Sequence, residues 1–453
     1  MSSPNFQLPA SWTTVAVREL VQFNPKTEIE DETVCGFVPM QALGTRYLSA
    51  LRVEQERPWG EVRKSYTHFQ NGDVLVAKVT PCFENGKAGI ARGLPNGIGA
   101  GSSEFCVFRP TQGLDERYLL GWFSTDNFRR RAAVAMTGSV GLKRVPKDVF
   151  LDEKIIVAPE NEQRRIADKL DTVLARVDAV QTRLARVTLL LKRFRQSVLA
   201  AATSGRLTED WRRNFLQPEL EFTQIQHIAK VGTGSTPLRS ESGFYAEIGI
   251  PWVTSAATGS NLVTEAKEFV TQAAISAHRL KIYPIGTILI AMYGEGKTRG
   301  QVTELGIPSA INQACAAIQV DESLVLRKFV KLSLQANYLQ MRVLAEGGNQ
   351  PNLNLSKVKE FTLPLPKLEE QTEIVRRVET LFAFADRLDS RLQVAQTAAY
   401  RLTPALLAKA FRGELVPQDP NDEPATELLR RLRDARSAEI PSKKTRTRKV
   451  IFN

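Results

Sequence analysis

Two stretches of this chain carry the same apolar repeat, and the second begins 208 residues after the first. Apolar residues recur at alternating steps of four and three, which is the spacing of a coiled-coil seam rather than of an ordinary amphipathic helix. The first stretch carries them at Ile166, Leu170, Val173, Val177, Val180, Leu184, Val187, Leu191, Phe194 and Val198. The second carries them at Ile374, Val378, Leu381, Ala385, Leu388, Leu392, Ala395, Ala399, Leu402 and Leu406. The pattern predicts two long helices that share length and register.

The sequence around the two helices is duplicated as well. Each repeat begins with a Glu-Gln pair, Glu162-Gln163 and Glu370-Gln371. In the preceding blocks, a turn glycine with a short apolar run, Gly72 to Ala77, matches Gly286 to Ala291, and each run predicts a buried strand. The order of block, helix, block, helix and tail predicts an α+β fold built by internal tandem duplication.

Proline-containing segments mark the predicted domain boundaries, because proline disfavours helix in the residue before it. Such segments end at Pro159 and Pro366, just ahead of the two helices. Pro404 lies inside the second repeat and predicts a kink or a helix end there, with Ala405 to Phe411 as a separate turn. The predicted domains are a first globular block at residues 1–158, a first helical spacer at 159–215, a second globular block at 216–365, a second helical spacer at 366–430 and a basic, disordered tail at 431–453.

The two helices are expected to pack on each other, because they share length and register. Since a whole domain connects them, antiparallel packing would hold two similar blocks at opposite ends of a coiled coil. The alternative is that each helix packs only on its own globular neighbour, but the narrow unbroken seam argues against the wider stripe of a surface helix. The seam is predicted at Ile166, Leu170, Val173, Val177, Leu184, Leu191, Ile374, Val378, Leu381, Leu388, Leu392 and Leu402.

Composition narrows the class of protein. At 453 residues the chain is too long for one core, which predicts several domains. No apolar run approaches the roughly 18 to 20 residues that span a bilayer, so we expect a cytoplasmic protein without membrane association. The four cysteines are scattered and only three histidines are present, which predicts no metal site.

The net charge of +12 favours a polyanionic partner, but the excess is not in the globular blocks. Residues 1–155 hold 19 basic and 17 acidic side chains, and residues 216–360 hold 13 and 12. Contact with nucleic acid would therefore come from local clusters rather than from a uniformly basic groove.

Polar loop residues able to contact DNA occur in both blocks. Arg and Lys suit guanine edges and phosphates, whereas Asn and Gln suit adenine. The candidates in the first block are Lys78, Thr80, Asn85, Lys87, Lys143 and Arg144. Those in the second block are Tyr293, Lys297, Thr298, Arg299, Asn312, Gln313, Asn349, Gln350 and Asn352. Asn312 and Gln313 lie between apolar stretches and can equally satisfy buried backbone groups.

One string in the second block resembles a phosphate-binding loop. Ala291 to Thr298 fits a relaxed small-x4-Gly-Lys-Thr pattern after an apolar strand. A phosphate loop needs a helix that begins at its Lys-Thr, but Gly300 and β-branched residues follow here. The other interpretations are a tight loop between strands and a loop that presents Lys297, Thr298 and Arg299 to DNA, which we favour.

Other catalytic motifs are missing from the sequence. Asp73 and Glu84 flank Lys78 loosely in the manner of a nuclease site, but Thr287 replaces the aspartate in the second copy. We interpret both carboxylates as loop and turn residues. The sequence thus predicts recognition without catalysis.

Several segments resemble the specificity subunit of type I restriction-modification systems, the HsdS family. The resemblance covers nearly the whole chain and is carried by the duplicated layout together with particular strings of residues. These strings are Leu8-Pro9-x2-Trp12, the Pro159 and Pro366 segments with their Glu-Gln pairs, Ser204 to Arg212, and Leu407 to Gln418.

The resemblance implies a DNA-recognition role for this chain. Two target recognition domains would each read one half of a bipartite site in double-stranded DNA. The helices would set the gap between the halves and dock two methyltransferase subunits, and restriction-translocase subunits would join the assembly. The chain itself would bind no cofactor, because S-adenosylmethionine, ATP and Mg would belong to the partner subunits. A nucleotide-binding enzyme and a coiled-coil adaptor without DNA binding are the alternatives.

Overall fold

The computed structural model describes residues 7–49, 51–139, 141–214, 221–293, 298–345 and 353–439. The chain forms two compact units. The first unit contains residues 1–184 and 394–453, and the second contains residues 185–393. Each unit therefore takes one globular block and a part of both long helices, whereas the predicted boundaries separated blocks from helices. None of the helices in the described ranges combines the length and apolarity that crossing a membrane requires.

The first unit contains two four-stranded sheets and two strand pairs. The sheets have the orders β2-β9-β6-β7 and β4-β3-β8-β5, and the pairs are β1-β12 and β10-β11. The strands are β1 (Thr13–Ala16), β2 (Val21–Phe23), β3 (Val34–Val38), β4 (Gln55–Pro58), β5 (Thr67–Gln70), β6 (Val74–Ala77), β7 (Ala88–Ile90), β8 (Ile98–Gly101), β9 (Phe105–Pro110), β10 (Thr137–Ser139), β11 (Leu142–Arg144) and β12 (Lys154–Val157).

The second unit repeats this plan with more strands in one sheet. Its sheets have the orders β14-β22-β19-β20-β17 and β15-β18-β16-β21, beside a β13-β23 pair. The strands are β13 (Phe222–Gln224), β14 (Ala229–Thr233), β15 (Tyr245–Ala246), β16 (Ile250–Val253), β17 (Leu262–Val263), β18 (Glu268–Val270), β19 (Ile288–Ala291), β20 (Val302–Leu305), β21 (Ala310–Ile311), β22 (Cys315–Val320) and β23 (Thr362–Pro364).

Helices connect and cover the sheets. They are α1 (Trp59–Val62), α2 (Glu116–Phe123), α3 (Asp126–Val134), α4 (Lys147–Leu151), α5 (Glu160–Thr203), α6 (Glu209–Asn214), α7 (Ile225–Ile228), α8 (Gln272–His278), α9 (Arg327–Ala336), α10 (Tyr338–Ala345), α11 (Leu355–Glu360), α12 (Leu368–Ala410) and α13 (Ala425–Glu439). The predicted α+β fold with two similar blocks and two long helices is confirmed.

The two predicted buried strands occupy matching positions in the two units. Every residue of β6 and of β19 is buried, as their short apolar runs require. Strand β6 pairs antiparallel with β9, and β19 pairs antiparallel with β22. The duplication seen in the sequence is therefore a duplication of the central strand pair.

Asp73, which precedes β6, has a structural role. Its carboxylate is buried and accepts two hydrogen bonds of 2.9 Å from the Arg109 guanidinium, together with one of 2.8 Å from the Gln70 backbone amide. In the second unit, Thr287 is buried at the matching position and donates its hydroxyl to the Pro284 carbonyl. The contacts of Asp73 agree with its interpretation as a turn residue.

The two long helices pack together, and both begin close to a proline. Helix α5 starts directly after Pro159 and α12 starts two residues after Pro366. Glutamates occupy the first turn of each helix, where the helix dipole favours negative charge. In the first unit the side-chain amide of Gln181 donates through Nε2 to the Ala399 carbonyl at 3.2 Å. In the second unit Arg195 pairs with Asp386 at 2.8 Å. The later position in α5 thus contacts the earlier position in α12, so the two helices run antiparallel.

Most of the predicted seam is buried or partly buried. Near the start of α5, residues Ile166 and Leu170 join the core of the first unit, together with Leu407 and Ala410 of α12. The seam thus packs on the globular block as well as on the partner helix. The seam residues that are buried are Ile166, Leu170, Val177, Leu191, Ile374, Val378 and Leu392, and those partly buried are Val173, Leu184, Leu381 and Leu388.

Leu402 departs from the predicted seam. It is 46% exposed, whereas Leu407, five residues later, is 1% exposed. The prediction that Leu402 lies in the seam was wrong, because the last turns of α12 turn Leu407 and Ala410 into the core of the first unit instead.

The sequence predicted a kink or a helix end at Pro404, and the helix end is wrong, since α12 continues to Ala410. A proline removes one amide donor and crowds the preceding turn. Burial of Leu407, Ala410 and Phe411 in the core holds the turns beyond the proline in place.

The predicted disordered tail begins inside a helix. Helix α13 runs to Glu439, and Ala425, Leu428 and Leu429 on it are buried in the core of the first unit. Gly113 has a φ of +89°, and a Cβ there would lie 2.3 Å from Leu428 Cδ1, so only glycine fits. Disorder was therefore the wrong prediction for residues 431–439, because apolar residues at helical spacing anchor this segment. Residues 440–453 lie outside the described ranges.

Candidate nucleic-acid interface

The ends of the central strand pair bring several predicted DNA-binding residues together in the first unit. Strand β6 ends where β9 begins, and the Lys78 amide donates to the Glu104 carbonyl at 3.0 Å. The Lys78 ammonium donates to the Ser103 carbonyl at 2.9 Å. We call the surface formed by Lys78, Thr80, Glu104, Lys143 and Arg144 the first strand-end surface.

The β10-β11 hairpin is attached to this surface through its second strand. The Lys143 amide donates to the Thr80 hydroxyl at 2.9 Å, and the Thr80 amide donates to the Lys143 carbonyl at 3.0 Å. The Val145 amide donates to the Lys78 carbonyl at 2.8 Å. The residues of both hairpin strands are exposed. Four predicted residues that are far apart in sequence thus lie on one solvent-facing surface.

One ion pair, between Arg144 and Glu104, lies on the first strand-end surface. The Arg144 Nε lies 3.0 Å from both carboxylate oxygens of Glu104, and its Nη2 lies 2.7 Å from Oε1. Hydrogen bonds from Arg144 lower the pKa of the Glu104 carboxyl, so this carboxylate is charged at neutral pH. Arg144 was predictable from the sequence as a DNA contact, whereas Glu104 was not, because a carboxylate is not an obvious DNA ligand.

The remaining two candidates of the first block, Asn85 and Lys87, differ in exposure and in whether the side chain is already hydrogen-bonded. Asn85 is exposed in a turn. Its backbone amide closes this turn by donating to the Pro81 carbonyl at 2.9 Å. The Lys87 ammonium donates to the Met40 carbonyl at 2.8 Å and is partly buried. Lys87 therefore holds the loop at Met40, which is a structural role that the sequence did not reveal.

The second unit has the same strand-end geometry with different side chains. The Met292 amide donates to the Ala314 carbonyl at 2.8 Å, which matches the bond from Lys78 to Glu104. Tyr293 follows β19 and is 37% exposed, while Asn312 and Gln313 precede β22. We call the surface formed by Tyr293, Thr298, Arg299, Asn312 and Gln313 the second strand-end surface.

Hydrogen bonds orient the amides of this second surface. The Thr236 hydroxyl donates to Gln313 Oε1, and no sequence motif indicates this contact. The Asn312 backbone amide donates to the Val253 carbonyl at 3.1 Å. Asn312 Oδ1 is buried and has no hydrogen-bond partner in the part of the chain that the structure describes. The carboxamides thus combine structural contacts with unused bonding capacity.

No helix begins at Thr298 or Arg299 in the described residues, and residues 294–297 before them lie outside the described ranges. Thr298 and Arg299 lie in a turn in which the Gln301 amide donates to the Thr298 carbonyl at 3.0 Å, and strand β20 follows. A phosphate loop requires a helix at this point. Among the predicted residues, Lys297, Asn349, Gln350 and Asn352 lie outside the described ranges. Over the described ranges, no three His, Cys, Asp or Glu side chains are grouped as metal ligands would be.

The Glu-Gln pairs join each long helix to its globular block. Gln163 is fully buried, accepts from the Asp115 amide at 3.1 Å and donates to the Ala158 carbonyl at 2.9 Å. Gln371 is also fully buried, accepts from the Leu326 amide at 2.7 Å and donates to the Pro366 carbonyl at 2.7 Å. The duplicated glutamine thus fixes the start of each long helix to the N-cap residue of α2 or α9.

Glu162 and Glu370 form hydrogen bonds with the other segments that carry the family resemblance. Glu162 accepts from the Trp12 indole at 2.8 Å and from Gln418 Nε2 at 2.5 Å, and burial raises the pKa of its carboxyl. Glu370 accepts from the Thr208 hydroxyl at 2.7 Å and from Arg212 Nη2 at 2.9 Å. The segments that carried the family resemblance thus converge on these two buried carboxylates, one in each unit.

Comparison with known protein families decides the membership of the chain. The model of the type I restriction modification DNA specificity domain matches residues 9–189 and again residues 218–394. This chain belongs to that family. The two matches of the DNA specificity domain correspond to the two copies of the block and the helical segment that follows each.

Relatives in the DNA specificity family extend over parts of the chain. The EcoAI specificity subunit of Escherichia coli is 39% identical over 178 residues, which are 39% of this chain and 30% of that protein. The EcoBI specificity subunit of Escherichia coli is 31% identical over 69% of this chain and 70% of that protein. The alignment with EcoAI thus spans less than a third of that relative's length.

The fold is also that of a solved member of a type I system. A chain from a structural study of complex assembly in the type I R-M system superposes with a TM-score of 0.75 at 20% identity. The match covers 90% of this chain and all of that chain. At this identity the similarity establishes the fold.

Proposed function

We propose that this chain is the DNA-recognition subunit of a type I restriction-modification complex. Each strand-end surface would read one half of a bipartite site in double-stranded DNA, and the long helices would set the gap between the halves. The observation that carries the proposal is the duplication of one strand-end geometry with different polar side chains in each copy. Two similar frames with different polar groups are suited to reading two different sequences.

The two surfaces differ in their chemistry. The first combines Lys78, Lys143 and Arg144 with one carboxylate, so it suits phosphates and guanine edges. The second includes Tyr293, Asn312 and Gln313, which suit a hydroxyl contact to phosphate and amide contacts to base edges. We therefore expect the two half-sites to differ in sequence.

The same proposal assigns the chemistry to partner chains in the cytoplasm. Two methyltransferase subunits would dock on the helices and supply S-adenosylmethionine chemistry, and restriction-translocase subunits would use ATP and Mg. The chain itself would bind none of these cofactors. The relatives in the comparison are named specificity subunits, which supports a role in recognition rather than catalysis.

Adenine methylation mapped across the host genome tests the proposal. The expected result is a bipartite motif that disappears when the gene for this chain is deleted. Purified complex with its methyltransferase subunits should then bind a duplex carrying the motif more tightly than duplexes with either half scrambled. A motif that survives the deletion, or equal binding to intact and scrambled duplexes, would contradict the proposal and leave the adaptor interpretation.

Binding of labelled ATP to the isolated chain tests the nucleotide-binding alternative. We expect no saturable binding, because the turn at Thr298 leads into strand β20 rather than a helix. Saturable binding that competes with unlabelled ATP would favour an enzyme.

A further inference from the structure

In the ion pair on the first strand-end surface, one edge of the Arg144 guanidinium has N–H groups that do not contact Glu104. Arg144 directs Nε and Nη2 at the Glu104 carboxylate, at 3.0 and 2.7 Å. A guanidinium carries five N–H donors in a planar fork, and this side-on pairing engages one N–H on each of two nitrogens. Both N–H groups of Nη1 and the second N–H of Nη2 have no acceptor among the residues that the structure describes. These groups form the outer edge of the guanidinium.

The backbone around Arg144 is fixed on both sides. Arg144 forms an antiparallel bridge with Val79, and its neighbour Val145 donates its amide to the Lys78 carbonyl at 2.8 Å. On the other side of the pair, the Glu104 amide donates to the Ser102 hydroxyl at 3.2 Å, and its carbonyl accepts from Lys78. Both members of the pair are thus attached to the end of the same strand, which fixes the direction of the outer edge.

Stability does not explain this pair. The side chains are 46% exposed for Arg144 and 24% exposed for Glu104. Exposed ion pairs contribute little to folding because solvent screens them and ordering two side chains costs entropy. A bidentate pair at a solvent-facing strand end instead restricts the rotamers of the arginine, which lowers the entropy cost of a further planar contact.

We infer that Glu104 positions Arg144 to read a guanine in the half-site bound by the first unit. This inference rests on the proposed function. The outer edge of the guanidinium presents two parallel donors, and guanine presents O6 and N7 as two acceptors in the major groove. Adenine places an amino donor where guanine has O6, so it would face a donor with a donor.

The second unit provides an internal contrast. Ala314 takes the place of Glu104 at the matching bond between the strands, so the second strand-end surface lacks this carboxylate. A guanine contact of this kind therefore belongs to one half-site alone. Glu104 is a positioning residue, and Arg144 is the residue that contacts the base.

Binding assays on the complex with its methyltransferase subunits test this role. The probes are the duplex carrying the mapped motif and duplexes in which each guanine of one half-site is replaced in turn by adenine or by 7-deazaguanine, which lacks N7. For the wild type we expect one guanine whose replacement by adenine weakens binding roughly 5- to 160-fold. Both Arg144→Ala and Glu104→Ala should abolish discrimination at that same position, and Glu104→Gln should reduce it less. Gln313→Ala is the control and should leave that position unaffected.

Each other outcome has a definite meaning. Weaker binding of Arg144→Ala to all duplexes alike, with a shallower salt dependence, would make Arg144 a phosphate contact and overturn the inference. Discrimination that survives Glu104→Ala but not Arg144→Ala would remove the positioning role. Each variant must first be shown to unfold at the same temperature as the wild type before its binding is interpreted. We expect this result because the ion pair is exposed and contributes little to stability. A wild-type complex without sequence preference would overturn the proposed function itself.

Discussion

At the scale of single residues, Gln163 and Gln371 have the most definite structural task. Each is fully buried and links the segment before its helix to the N-cap residue of a neighbouring helix, and Gln163 also donates to the Gly113 carbonyl at 3.3 Å. A buried carboxamide can do this because its oxygen accepts while its nitrogen donates. The repeated Glu-Gln pair was visible in the sequence, but the partners of the glutamine were not.

Replacement of Gln163 by alanine should destabilise the first unit. The Asp115 amide and the Ala158 carbonyl would lose their partner, and an unsatisfied buried polar group costs about 1–3 kcal/mol. Chemical denaturation of the chain measures the loss in the free energy of unfolding. Gln196→Ala, at an exposed position of the same helix, is the control and should change stability by no more than about 0.5 kcal/mol. Equal effects of the two substitutions would refute this role.

At the level of helices and strands, the apolar repeat predicted the two paired helices but not every residue of their seam. The steps of four and three predicted α5 and α12 with their antiparallel pairing, because each long helix must bury its one apolar stripe. The same steps placed Leu402 in the seam, where it is 46% exposed. Near its end α12 also packs against the core of the globular block. Leu407 and Ala410 are buried in that core.

Two leucines of α12 should respond differently to truncation. Leu407→Ala should cost about 2–5 kcal/mol, since it removes a core side chain that is 1% exposed. Leu402→Ala removes the same atoms from an exposed position and should cost less than about 1 kcal/mol. The free energy of unfolding of each variant separates the two cases. A larger loss at Leu402 would restore the seam predicted from the sequence.

At the scale of the whole molecule, one plan occurs twice with different polar residues at its functional edges. The central strand pair, the Gln contact and the buried glutamate recur in both units. The side chains at the strand ends do not recur, since Lys78 and Glu104 correspond to Met292 and Ala314. Repetition of the frame with variation of the edge is what separate recognition of two half-sites requires.

The proposed spacer role predicts the effect of shortening both helices. Deletion of residues 184–190 and 390–396 removes seven residues from each helix and preserves the seven-residue repeat. Each helix would shorten by about 10 Å at ~1.5 Å per residue, which corresponds to roughly three base pairs of duplex. Methylation mapping should show a motif with a shorter gap and unchanged half-sites. Deletion of four residues from each helix breaks the repeat and should abolish methylation, whereas an unchanged gap in the heptad variant would contradict the spacer role.

The duplication, the long helices, the central strands and the family were predictable from the amino-acid sequence, because they depend on periodicity and on local chemistry. The sequence also named residues that meet at each strand end, including Lys78 with Lys143 and Asn312 with Gln313. Three features became visible in the folded chain alone: Lys87 stabilises a loop, Glu104 pairs with Arg144, and α12 continues past Pro404. These features depend on which distant groups come within hydrogen-bonding or packing distance. Such distances follow from how the blocks fold, which a linear pattern does not contain.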